Sequence, residues 1–247
     1  MAKLIYEVFG EAEVYVLKLD GSDSRSLTAE SAAEAVRWAI HHKVDIISAS
    51  WAISAKQPYN DDQIKLDDAL KAAAGQNILI FCAASDGGPD TAVKDSLPAA
   101  ASQVFCIGGA TGTGVRDPIV GKQAVKYLVP GSCTTVNDQG RHVELRGSSV
   151  ATALAAGLAG VILQWISISP ETCFTRSGQQ EALMKRAKRF GDMDGILERL
   201  SVLKDQDDRL ISHKTFESYT NRNDVEYTEF INSKLKKLLG YVCFHNS

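Results

Sequence analysis

Apolar residues follow two rhythms along this chain. Short runs rich in β-branched or wholly apolar residues predict strands at Glu13–Leu19, Asp45–Ser50, Ile78–Ala84 and Gln103–Gly108, with a weaker extended piece near Val125–Val129. Segments of helical period lie between them. Ala32, Ala35, Val36, Ala39 and Ile40 share one face of a helix that Thr28 caps and His41–His42 close. Ile64–Ala74 reads as another helix, ended by Gly75, and Ala2–Phe9 as the last turns of one. Strands apolar on both faces, alternating with helices, predict an α/β fold: a parallel sheet with helices on both faces. Ligands in such sheets bind beyond the carboxyl ends of the strands, here near Ser50, Ser85–Asp86 and Ser149.

The stretch Gly147-Ser148-Ser149-Val150-Ala151-Thr152, continuing through Gly157, stands apart from this pattern. A glycine and two hydroxyls open a helix whose first turns carry almost no bulk. Ser148 or Ser149 is a ready cap for its free N–H groups. A serine oxygen at that point lies beside the positive end of the helix dipole, where a developing anion is stabilised. Val150–Ile168 is apolar for nearly a membrane's length, but its first half is Ala and Gly and no Lys/Arg asymmetry flanks it, so a buried helix is expected.

Composition narrows the classes. The 247 residues are 45% hydrophobic and 23% charged with a net charge of −3, ordinary soluble material with no basic signature for nucleic acid. Five scattered cysteines lack metal-type spacing and fit a reducing compartment. Met1–Glu7 has no signal-peptide architecture, so a cytoplasmic location is expected. No cofactor or metal is expected. The run Gly108-Gly109-Ala110-Thr111-Gly112-Thr113-Gly114 invites a dinucleotide-loop reading, but Val115-Arg116-Asp117-Pro118 follows it in place of a helix.

The G-S-S-V-A-T-A-L-A-A-G stretch resembles the G-T-S-M-A-[TS]-P-x-x-[AS]-G motif of subtilisin-like serine peptidases, with Ser149 matching the nucleophile. Other segments fall in that family's order over about residues 4–165. D-I-I-S-A-S-W resembles the strand along which substrate adds, which implies a peptide-binding edge at Ser50, Trp51 and Ala52. I-L-I-F-C-A-A-S-D-G-G resembles V-V-A-A-A-G-N-x-G, placing Ala84 and Ser85 in the substrate cleft and Asp86 at the oxyanion-hole asparagine. V-F-C-I-G-G-A resembles the next core strand, and Tyr127–Gly131 the A-P-G element. The resemblance implies a subtilisin-like fold and peptide-bond hydrolysis, with a polypeptide as substrate.

Two departures qualify that activity. No D-[ST]-G or H-G-T segment, the family's settings for its aspartate and histidine, occurs in the sequence. His41 and His42 end a helix, His142 is read in a loop, and His213 and His245 lie in the tail. A serine without a base is a weak nucleophile. Second, Asp86 replaces an amide that donates to the oxyanion, whereas a carboxylate donates only when protonated. The family's aspartate-bearing strand also pairs between those matching Val14–Leu19 and Asp45–Ser50. The expectation is therefore a subtilisin-like domain lacking its first strand and its catalytic Asp and His, inactive as given. The alternative is a non-catalytic, peptide-binding descendant within a larger intracellular protein.

After Pro170 the character shifts. Charged segments with apolar stripes at Glu181–Phe190, Gly195–Leu203 and Tyr227–Leu239 predict helices. The expected division is a peptidase-like domain over 1–169 and a helical extension over 170–247, which packs on the sheet or docks a partner.

Overall fold

A computed structural model describes residues 1–19, 27–55, 58–88, 96–121, 125–136, 139–168, 178–204 and 208–212. The chain forms helix α1 (Ala2–Val8), helix α2 (Ala29–His41), strand β1 (Ile46–Ala49), strand β2 (Ile53–Ser54) and helix α3 (Asp61–Gly75). Strands β3 (Leu79–Ala83), β4 (Ser96–Leu97), β5 (Val104–Ala110) and β6 (Tyr127–Pro130) follow. The hairpin β7 (Ser132–Val136) and β8 (His142–Arg146) then leads into helix α4 (Ser148–Ile168). Helices α5 (Gln179–Ala187) and α6 (Phe190–Leu200) and the short strands β9 (Val202–Leu203) and β10 (Arg209–Leu210) complete the described elements.

The main sheet runs β1-β3-β5-β6-β10-β9. Its first five members are parallel and β9 is antiparallel to β10. The expected α/β sheet with helices on both faces is what the chain builds. The period-2 geometry of strands explains why both faces are apolar. Ile80, Cys82, Val104 and Cys106 face α2 and α3, where Ala32, Ala33, Val36, Leu66 and Leu70 meet them. Leu79, Phe81, Phe105 and Ile107 face α4 with Leu158, Ile162 and Trp165. Cys82 and Cys106 are register partners, buried as small hydrophobes, and their mutual hydrogen bond together with burial pushes the Cys82 thiol up.

The helices obey their sequence signals. Thr28 accepts the Ser31 N–H as the α2 cap, and Asn60 with Gln63 forms a capping box on α3. The closing signal of α3 differs from expectation. Gly75 stays inside the helix, and the left-handed residue beyond it is Asn77, at φ 59°. Helix α4 is long and apolar enough to cross a membrane by composition, yet 78% of its most apolar window is buried inside the protein. It is the central core helix, and α1 lies across it. A Cβ on Gly157 would come within 2.9 Å of Val8 and one on Gly160 would overlap the Phe9 ring, so the small residues are what admit α1 and the chain after it.

One strand expectation fails. Glu13–Leu19 contains no strand; Val14, Tyr15, Val16 and Leu17 are exposed, and the Tyr15 ring packs edge-on against Trp38 of α2. The β-prone composition is there, but among the described residues no strand lies alongside to supply the ladder hydrogen bonds. On the other side β1 stands at the edge of the sheet. The hairpin β7–β8 escaped the sequence reading, and His142, read there as a loop residue, sits in β8 opposite Val136.

Described residues between 179 and 211 join the same core. Leu183, Ala187, Met193, Ile196 and Leu197 pack with α4 and the sheet. Tyr127 donates its phenol hydrogen to Asp194 at 2.7 Å, Lys126 pairs with Asp194 at 2.9 Å, and Arg116 pairs with Asp208. The helices expected near Glu181–Phe190 and Gly195–Leu203 appear as α5 and α6, displaced by a few residues. The one expected at Tyr227–Leu239 lies outside the described residues.

Candidate active site

The carboxyl ends of β1 and β3 meet the N-terminus of α4, and the residues singled out in the sequence gather there. Gly147 makes the entry possible. Its φ is +124°, a conformation L side chains rarely adopt, and a Cβ would lie 2.7 Å from Asp86 Oδ2. Its N–H donates to the Gly131 carbonyl at 2.7 Å.

The capping of α4 differs from expectation. Neither serine hydroxyl caps its own helix; Asp86, brought from the loop after β3, does. Its Oδ2 accepts the Ser148 N–H at 2.9 Å and its Oδ1 accepts the Ser148 hydroxyl at 2.6 Å. The Ser148 oxygen in turn accepts the Gly109 N–H at 3.2 Å. A carboxylate at a helix N-terminus satisfies free donors and meets the positive end of the dipole. Both Asp86 oxygens are thereby engaged as acceptors.

Ser149 is half-buried, and a reciprocal pair of hydrogen bonds ties it to Ser50. Its hydroxyl donates to the Ser50 carbonyl at 3.1 Å, while the Ser50 hydroxyl donates to the Ser149 carbonyl at 3.1 Å. These two bonds fix the end of β1 against the first turn of α4. Trp51 (half-buried) and Ala52 (exposed) continue the chain from Ser50 toward β2, which pairs with β4. Ala84 is buried and donates its N–H to the Ile107 carbonyl at 2.8 Å. Ser85 is half-buried, and its Oγ accepts the Gly87 N–H at 3.3 Å. Thus Ser50, Asp86, Ser148 and Ser149 form one connected group, with Trp51, Ala52, Ala84 and Ser85 on the strand ends that frame it.

The described histidines lie elsewhere. The His42 ring stacks on Trp38 with centroids 3.6 Å apart, and His142 is exposed on β8. Among the described residues no three His, Cys, Asp or Glu side chains group to hold a metal ion. Gly108 and Gly109 are buried inside β5 and, among the described residues, no helix follows them before β6, so the strand–turn–helix context of a dinucleotide loop is missing there.

One feature has no sequence motif behind it. Asp117, 3% exposed, receives Arg146 through two hydrogen bonds, from Nε at 2.9 Å and Nη2 at 3.1 Å. Ile119 adds its N–H to Oδ1 at 3.2 Å, and the Asp117 N–H donates to the Gly109 carbonyl at 2.9 Å. The only hint in the sequence is an arginine directly before the glycine of the serine motif.

The Arg146 hydrogen bonds hold the Asp117 carboxyl below its usual range, against the upward push of burial. A depressed folded value contributes stability that is fully present above the unfolded carboxylate pKa of about 3.9 and is lost as pH falls through the lowered folded value. Urea unfolding at about pH 5 and about pH 3 is therefore expected to show a steeper loss of stability for the wild type than for Asp117→Asn. Equal losses in the two proteins would contradict the ion pair.

A parallel sheet, a buried Ala/Gly helix entered through a left-handed glycine, and a serine in its first turn at the strand ends are the features of a subtilisin-like fold. The comparisons with known proteins agree. The model of the Subtilase family matches residues 3–211, and the chain belongs to that family.

An intracellular serine protease of Paenibacillus polymyxa is 26% identical over 171 residues, covering 64% of this chain and 48% of that protein. The major intracellular serine protease of Bacillus subtilis (strain 168) is 30% identical over 103 residues, 41% of this chain and 30% of that protein. The chain therefore spans half or less of the curated relatives it matches. Among solved structures, the epidermin leader peptide processing serine protease of Staphylococcus aureus superposes with a TM-score of 0.64 at 14% identity, covering 88% of this chain and 60% of that one. A cold-adapted subtilisin-like serine proteinase gives 0.56 at 17% identity over 76% and 63%. At these identities the structures speak for the fold.

Proposed function

We propose that this chain carries the nucleophile and substrate edge of an intracellular, subtilisin-like serine endopeptidase acting on polypeptides. The observation that carries the reading is the position of Ser149: first turn of a buried helix, bound to the end of β1, beside the loop that follows β3. In this role an extended substrate adds along Ser50, Trp51 and Ala52 through main-chain hydrogen bonds. Ser149 Oγ attacks the scissile carbonyl and passes its proton to a base. The carbonyl oxygen becomes an oxyanion that the Ser149 N–H stabilises. Collapse of the tetrahedral species expels the amine, which takes the proton, and water then releases the acyl group from Ser149 by the same path. This reading requires a base and an orienting carboxylate that residues 1–247 do not offer in an H-G-T or D-[ST]-G setting. The cytoplasmic assignment rests on the reduced-thiol cysteine pattern and on relatives described as intracellular.

A second reading is favoured by Asp86. With both oxygens accepting from Ser148, it offers no donor to an oxyanion, which fits a peptide-binding module without turnover. One experiment separates the two. Cleavage of fluorescent casein is measured for the protein isolated from its own cells and for residues 1–247 alone. The peptidase reading expects cleavage by the former and none by the latter. Binding of an extended peptide without cleavage by either form would establish the second reading.

A further inference from the structure

We propose that Arg146 and Asp117 are positioning residues for Ser149, gripping the turn that presents it through a second contact besides Asp86. The inference deepens the peptidase reading, because it matters for catalysis only if Ser149 is the nucleophile. The turn needs such a grip. Its central residue is Gly147, the residue type with the most backbone freedom, held here at a positive φ. Whatever fixes Gly147 fixes where the hydroxyl of Ser149 points.

On its downstream side the turn is held by Asp86 through the Ser148 N–H and hydroxyl. On its upstream side β8 ends at Arg146, in a hairpin whose residues alternate between exposed and half-buried. That hairpin alone is a weak anchor for the turn. Arg146 supplies the missing constraint by forking onto a carboxylate that is itself almost inaccessible. Arginine's planar fork fixes orientation as well as distance, which a point charge does not. The exposed guanidinium has little to lose from water, whereas Asp117 left alone would be a buried charge without a partner.

The grip connects to the site through Gly109 of β5. The Gly109 carbonyl accepts the Asp117 N–H, and its own N–H donates to the Ser148 oxygen. A Cβ at Gly109 would lie 3.4 Å from the Gly147 carbonyl carbon and 3.5 Å from the Ser148 nitrogen, so strand and turn are in close approach. A core strand, the Arg146–Asp117 pair and the Asp86 cap thus all bear on Gly147–Ser149. Neither Arg146 nor Asp117 is among the residues assigned to the substrate edge or the oxyanion position, which makes the pair a positioning device.

The test is amide hydrogen exchange of residues 147–150 in the full chain, compared with exchange in α2. In Arg146→Ala, exchange at 147–150 is expected to rise by about 10-fold or more while α2 is unchanged. Arg146→Lys should fall between the two, since it keeps the charge and loses the fork. Unchanged exchange at 147–150, or equal acceleration in α2 and in the turn, would overturn the proposal. If Arg146→Ala does not fold, Arg146→Lys decides by the same comparison. The exchange result stands whether or not Ser149 reacts: protein isolated from its own cells that fails to cleave casein sinks the peptidase reading, and exchange indifferent to Arg146 sinks the clamp.

Discussion

Ser149→Ala is expected to reduce casein cleavage by the protein isolated from its own cells by at least about 10³-fold, with little change in stability. The loss is large because no neighbouring hydroxyl can substitute. Ser148 is fully buried and its oxygen is already shared between Asp86 and Gly109. The Ser50 hydroxyl is turned to the Ser149 carbonyl. The stability change is small because the deleted hydroxyl makes one neutral hydrogen bond, to the Ser50 carbonyl, in a half-buried place; a bond of this kind contributes about 1 kcal/mol. The reciprocal bond from Ser50 survives the substitution. Cleavage that persists in Ser149→Ala, measured against a thermal melt showing the variant folded, would assign the chemistry to another residue.

Asp86→Asn is expected to do the opposite to activity. It should raise kcat for peptide cleavage by about 10²-fold, leave KM nearly unchanged and lower stability by about 1 kcal/mol. The scale for activity is that of removing the matching amide donor in subtilisin itself. Both carboxylate oxygens of Asp86 accept hydrogens from Ser148. An asparagine keeps one acceptor for the Ser148 N–H and gains an NH₂ group that can turn to a developing oxyanion. That interaction exists only in the transition state, so kcat responds and KM does not. The stability change has the other sign, because the helix N-terminus loses a charged cap and the Ser148 hydroxyl loses its acceptor. A fall in kcat on Asp86→Asn would show that the carboxylate itself takes part in turnover. Kinetics and urea unfolding on the same two proteins check both halves.

The parallel sheet was readable because its strands are apolar on both faces, and α2 and α3 because their caps obey local rules. Ile78–Ala84 could hardly be anything but a buried strand. Two kinds of feature escaped. Glu13–Leu19 has the composition of a strand, yet strands exist only by pairing, and composition says nothing about whether a neighbour is present. The hairpin β7–β8 escaped for a related reason, since its residues alternate between half-buried and exposed and carry no apolar run.

At the site, the motif drew attention to Ser149 and Asp86, but their partners are non-local. Asp86 meets Ser148 across 62 positions and Asp117 meets Arg146 across 29. The role of Ser148 shows the difference clearly. From the sequence it is a local cap, and in the fold its N–H is itself capped from a distant strand end. Its hydroxyl serves that cap. Local spacing has no means of expressing such an exchange.

The most direct test of the central claim is labelling with a serine-directed phosphonate, followed by peptide mapping, on the protein isolated from its own cells. A single adduct is expected on Ser149, absent from Ser149→Ala. Phosphonate on a different residue, or none on a folded protein that contains this chain, would contradict it.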